Sequence, residues 1–216
     1  MTTTSAPEGT GRRVGLDRAD MVDRALALVE TLGPDALTMR RLATELDVTT
    51  TTIYWHVGSR DELVTEVVRL QARRQAARQV VGRTPRERVM SAARHVWDGA
   101  LENRAVTSLA HRTGTTSLLE LPLEIELARQ LEAAGVTGTR AAAALRSILT
   151  TVGGFLVLAL RDETAIPEDR RGPSLWAAVD DPDLDVSTRT AMAEPPDLAA
   201  LFETTVQAVV DSHLTD

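Results

Sequence analysis

The residues best placed to do chemistry form one short run, Thr49-Thr50-Thr51-Thr52-Ile53-Tyr54-Trp55-His56-Val57. A threonine carries a hydroxyl that donates or accepts and a methyl that can meet the thymine methyl. Four in succession therefore suit a surface laid against base edges and phosphates. Tyr54, Trp55 and His56 are bulky and amphipathic, in a chain with only three Trp, one Tyr and two Phe. On so short a helix they cannot all turn inward, and those left outside would reach phosphate oxygens with their polar tips. The chemistry implied is recognition of nucleic acid.

Bond-making chemistry finds no comparable support. The histidines His56, His95, His111 and His213 have no metal-ligand spacing, and HExxH and GxSxG are absent. No glycine-rich phosphate loop follows a strand pattern, and there is no cysteine to form a disulfide, a thiolate metal site or a nucleophile. The acids Asp180, Asp181, Asp183 and Asp185 read as a solvated loop, not as a metal site. No catalytic residue, metal or cofactor is assigned.

The threonine run needs elements that present it. Thr38 can cap a helix whose apolar residues Met39, Leu42, Ala43 and Leu46 recur at three- and four-residue spacing. Asp47 follows, and a short acidic side chain is among those that best tolerate a left-handed turn. Val48 tucks inward, and Thr49 or Thr50 caps a second helix through Ile53, Tyr54 and Val57. Gly58 stops it, and Ser59-Arg60-Asp61-Glu62 is a capping box that opens the next helix. Two helices joined by such a turn form a helix-turn-helix, whose second member can enter a DNA major groove.

With these residues in view, TMRRLATELDVTTTTIYWHVGSRDELV resembles the DNA-binding domain of the TetR (tetracycline repressor) family over about Leu16 to Val67. The resemblance implies a homodimeric transcriptional repressor that binds a palindromic double-stranded operator and is released by a small-molecule effector. Carried over by position, Arg40, Thr50, Thr51 and Tyr54 would meet bases. Thr38, Thr52, Trp55, His56 and Arg60 would meet phosphates, with Thr49 at the same helix start. Asp47 stands where the family usually has glycine.

The rest of the chain reads as helix after helix. Its 216 residues, 43% hydrophobic and 25% charged, suit a soluble globular protein with a substantial core. Net charge is −7, unevenly spread: residues 1–88 hold 14 Arg against 12 acids, residues 89–216 hold 10 against 19, and there is no lysine. A near-neutral reader on an acidic body relies on specific contacts more than on bulk attraction. MTTTSAPEGTGRR lacks the apolar run of a secretory signal, so a cytoplasmic protein is expected. Residues 1–15 read as a solvated tail, with a minor-groove arm through Arg12 and Arg13 as the alternative.

Helices are expected over Leu16–Leu32, with Val22, Ala25, Leu26, Val29 and Leu32 inward, and over Asp61–Val81, with Leu63, Val67, Leu70 and Ala77 inward. Further helices are expected over Arg86–Leu101, Val106–His111, Leu121–Ala134, Arg140–Leu160 and Leu198–Leu214. The fold class is all-α. A DNA-binding domain spans 16–60, and a helical ligand-binding and dimerisation domain spans 61–216, with a loop at 161–197 containing a short turn at Leu175–Val179. Ala141–Leu160 is apolar enough to raise a membrane span, but Arg146, two threonines and Gly153-Gly154 favour a helix covered by the ligand core and a partner subunit. With the last helix, whose apolar face carries Leu201, Phe202, Thr205, Val206, Val209 and Val210, it can close a four-helix bundle between two subunits. Candidate ligand contacts are Trp97, Leu101, His111, Leu118 and Phe155, with ordinary core packing the competing reading. The rival function is an all-α ligand-binding or enzymatic body whose N-terminal bundle mediates protein contacts; a buried Thr51 and Tyr54 would favour it.

Overall fold

The computed structural model describes residues 17–165 and 174–214, the side chains of 161–165 excepted. The proposed arm at 1–15, with Arg12 and Arg13, lies outside the described residues. Those residues form ten α-helices and no strand. Asp17 opens α1 (Arg18–Leu32) with a reciprocal capping box to Asp20. A 3-10 turn, Pro34–Ala36, leads to α2 (Met39–Glu45) and α3 (Thr50–Val57). Capping boxes Ser59/Glu62 and Thr84/Glu87 then start α4 (Arg60–Ala76) and α5 (Pro85–Glu102). The order continues with α6 (Arg104–Arg112), α7 (Thr116–Ala133), α8 (Gly138–Ala165), α9 (Val186–Ala193) and α10 (Leu198–His213). The all-α expectation holds.

The apolar faces assemble into two cores. One joins Met21, Leu26 and Val29 of α1, Leu42 of α2, Ile53 and Val57 of α3 and Leu63, Val64, Val67 and Val68 of α4. It is roofed by Val106, Leu109 and Ala110 of α6 and by Leu119 of α7. The other joins α5, α7, α8 and α10 through Val89, Leu127, Leu131, Ile148, Val152, Val206 and Val210. At its heart Trp97 stacks on Phe202, ring centroids 4.6 Å apart, and Phe155 meets both rings edge-on. Such aromatic pairs are worth about 0.5–1.5 kcal/mol beyond their buried area.

Several boundaries differ from expectation for identifiable reasons. Leu32 is exposed, because α1 ends there and Gly33, at φ 83°, turns the chain away from the core. α4 stops at Ala76, not Val81, and Ala77 is exposed. Its stripe is continued by buried Gln71 and Gln75, and beyond the helix end the Val81 N–H donates to the Ser91 hydroxyl, 3.1 Å, seating the chain on α5. α7 begins at Thr116, with Pro122 inside it. Proline there forfeits one backbone bond, while the earlier start lets Leu119 reach the first core. The 161–197 stretch is not loop throughout: α8 runs to Ala165, the expected turn is a 3-10 turn at Leu175–Ala178, and α9 follows. Asp185 caps α9 by accepting from the Ser187 and Thr188 N–H groups, so an acid read as solvated loop starts a helix. In the last helix Leu201 and Thr205 face outward from the protomer.

Candidate nucleic-acid interface

The turn between α2 and α3 sets the aim of the threonine run. Asp47 adopts φ 52°, the left-handed conformation expected of it. The Asp47 N–H donates to the Thr44 carbonyl at 3.3 Å and the Val48 N–H to the Ala43 carbonyl at 3.0 Å. These bonds satisfy the carbonyl end of α2 while the chain reverses. Val48 packs against the first core, and Ile53 and Val57 anchor one side of α3 within it. With that side fixed by burial, the helical period turns Thr51, Tyr54 and Trp55 outward.

The cap falls on Thr49. Its hydroxyl accepts from the Thr52 N–H at 3.1 Å and shares a 2.9 Å bond with the Thr52 hydroxyl. Thr49 and Thr52 thus hold the helix start, leaving Thr50, half-buried, and Thr51, exposed, as the less committed hydroxyls. Tyr54 is 51% exposed and Trp55 81%, with the indole edge-on to His56 at 4.7 Å. On α2, Thr38 caps by accepting from the Arg41 N–H, and Arg40 is exposed. The Arg60 Nε–H donates to the Leu37 carbonyl at 3.2 Å, which ties the guanidinium across the start of α2.

The charges on this face are arranged in the same sense. Glu45, the nearest acid on α2, pairs with Arg24 at 2.6 Å. Among the described residues neither Arg40 nor Arg41 makes an ion pair, although most arginines of α4 and α5 do. Arg41 was not singled out from the sequence. It shares an open hollow on α2 with Thr38, Arg40 and Thr44, and its place next to Arg40 was the only signal. The arrangement can donate hydrogen bonds to phosphates from two free guanidiniums and offer threonine and tyrosine hydroxyls to base edges. Thr51 and Tyr54 are exposed, which counts against a bundle that merely packs on protein.

Residues 21–67 match the family model described as bacterial regulatory proteins, tetR family. Over those residues the chain carries a TetR-family N-terminal module. The likeness of fold to solved structures extends through the rest of the described chain. A possible TetR family transcriptional regulator from Streptomyces coelicolor A3(2) is 28% identical, with TM-score 0.64 over 91% of this chain and 98% of that one. ActR from Streptomyces coelicolor, solved in complex with (S)-DNPA, is 22% identical, with TM-score 0.63 over 92% and 97%. BioQ, solved with its natural double-stranded DNA operator, is 24% identical, with TM-score 0.57 over 93% and 99%. No protein of curated function matches the sequence.

The five candidate ligand residues do not surround one cavity. Trp97 and Phe155 meet in the second core, around a Phe202 that the sequence reading placed only on an apolar face. Leu101 borders a surface hollow with Glu30 and Arg104. Leu118 packs against the first core and His111 is exposed at the end of α6, because this segment roofs the DNA-binding module. A partly enclosed cleft in the helical body lies between α5, α7 and α8. It measures about 100 Å³ and is lined by Val96, Glu120, Glu124, Leu149, Val152, Gly153 and Leu156. Its signal in the sequence was a pair of glutamates four residues apart within the leucine-rich first half of α7.

Proposed function

We propose that the protein is a homodimeric repressor that holds a two-fold-symmetric operator and lets go when a small-molecule effector binds its helical body. The observation that carries this reading is the uncovered face of α8. Gly138–Leu160 is long and apolar enough to cross a membrane, yet only 17% of that stretch is buried within the chain. Ala144, Ile148 and Val152 serve the second core, while Val157 and Leu158 are 65% and 49% exposed and Leu201 of α10 is 46% exposed. An apolar patch of this kind calls for a cover. A second copy supplies the same face, and α8 and α10 from each protomer close a four-helix bundle about a two-fold axis. Two α3 helices would then meet successive major grooves about 34 Å apart.

In this reading 16–60 is the DNA-binding domain, 61–216 the ligand-binding and dimerisation domain, and the protein works in the cytoplasm. Arg40, Thr50, Thr51 and Tyr54 read bases, Thr38, Thr52, Trp55, His56 and Arg60 hold phosphates, and Thr49 fixes the helix start. The operator bound by BioQ and the ligand bound by ActR support the two halves of the reading. Release is a population shift: effector binding favours a spacing of the two reader helices that no longer fits the groove repeat. Sedimentation velocity and a gel shift on fragments selected from the source genome test it. The expected result is a dimer at micromolar concentration that binds a palindrome. A monomer that ignores every fragment at low salt would overturn the proposal.

A further inference from the structure

We infer that the cleft between α5, α7 and α8 takes a small organic cation, a primary or secondary ammonium group on a short apolar body. This deepens the effector reading above and rests on it for its regulatory consequence. The walls are Val96 of α5 and Leu149, Val152 and Leu156 of α8, and the polar groups are Glu120 and Glu124 of α7. Four residues apart on a helix, these two lie one above the other on the same face. Glu120 sits at the open rim and Glu124 is half-buried.

Among the described residues neither carboxylate has an ion pair or side-chain hydrogen bond. Glu126 on the same helix binds Arg129 and Gln130, and Glu203 binds Arg94. Partial burial and the neighbouring Glu124 push the Glu120 carboxyl above the usual carboxylate range, as expected of a carboxylate beside a like charge with no counter-ion. An ammonium between the two relieves that repulsion and donates charge-assisted hydrogen bonds, while its hydrocarbon covers the walls. An anion is repelled, and a neutral molecule gains the walls alone. A volume of about 100 Å³ is small beside the ~300–1,000 Å³ of drug-sized sites. It admits a small amine or the charged end of a longer one. Gly153 opens the cleft further, since a Cβ built there meets nothing within 4 Å.

The test is thermal unfolding of the full-length protein with benzylammonium, benzyl alcohol and benzoate at matched ionic strength. Benzylammonium at about tenfold its half-saturating concentration is expected to raise Tm by about 3–6 °C, with no comparable rise from the other two. The paired change E120Q/E124Q is expected to abolish the rise. So is G153L, which keeps both charges and fills the open space; if G153L fails to fold, the isosteric glutamine pair decides. No rise with benzylammonium, an equal rise with benzyl alcohol or benzoate, or a rise that survives E120Q/E124Q overturns the inference. Operator binding is read separately. Stabilisation by the amine without release of DNA supports the cation site and overturns its role as effector site. Stabilisation by the amine in a protein that binds no DNA supports the site and overturns the repressor reading.

Discussion

At the scale of single residues, stability and recognition are divided between neighbouring threonines. The Thr49 hydroxyl is spent on the Thr52 N–H, so Thr49→Ala is expected to cost about 1 kcal/mol of stability, the usual loss of an N-cap, read by urea unfolding. Thr51 is exposed and makes no cap. Thr51→Ala is expected to leave the unfolding midpoint unchanged while weakening operator binding, by roughly 1–3 kcal/mol if its base contact is lost; fluorescence anisotropy separates the two. Asp47 carries a different lesson. Its left-handed backbone, at φ 52°, strains any side chain, so Asp47→Gly is expected to be neutral or to stabilise by up to about 1 kcal/mol. That conformation was legible in advance because a reversal after a buried stripe, without glycine, leaves few residue types able to make it. Which threonine caps was not legible: Thr49 and Thr50 are equal in propensity, and only the position of the buried Ile53 and Val57 decides.

At the scale of elements, packing against distant helices accounts for what local pattern missed. The start of α7 was misplaced because Pro122 resembles a first-turn proline, and only contact of Leu119 with the first core draws the helix back to Thr116. α9 was missed because prolines and acids around it read as punctuation, although Asp185 is a good cap. The candidate ligand residues scatter for a related reason: Leu118 packs against the first core, not the one that holds Trp97, and His111 lies exposed at the end of α6. The joint between α4 and α5 gives a test at this scale. Gln75, almost wholly buried, donates its side-chain amide to the Gly99 carbonyl at 2.9 Å. A Cβ at position 99 would lie 3.1 Å from that amide. Gly99→Ala gains about 0.5–1 kcal/mol of helix propensity, but crowding a buried, bonded side chain costs about 1–3 kcal/mol. The expected net is a loss of about 1 kcal/mol by urea unfolding.

At the scale of the whole molecule, two properties can be measured directly. Replacing Val157 and Leu158 together by Arg is expected to leave helicity intact while converting dimer to monomer in sedimentation, with operator affinity falling more than about tenfold as one half-site is lost. Acid sensitivity follows from the charge pairs. Hydrogen bonds from Arg94 and Arg86 hold Glu203 and Asp211 below the usual carboxylate range, and the capping bonds do the same for Glu62 and Glu87. Groups with folded values depressed in this way stabilise above their unfolded values and lose that contribution as pH falls through the folded ones. Burial lowers His95, whose contribution is likewise lost on acidification, beginning nearer neutrality. Burial raises Asp98 and Glu120, which push the other way but are fewer. Tm is therefore expected to be highest near neutral pH, to slip below about 6.5 and to drop steeply below about 4.

The placement of α6 over α1 and α4 has a consequence for anyone recombining such proteins. Val106, Leu109, Ala110 and Leu119 close the core that Leu26 and Val67 begin, so a headpiece cut out at residue 60 or 76 would arrive in a chimera with its lid left behind. A graft that transfers residues 104–119 along with it keeps the interface whole, and soluble yield of the two hybrids would distinguish them. What looks in sequence like a detachable module is, in three dimensions, interleaved with the body it reports on.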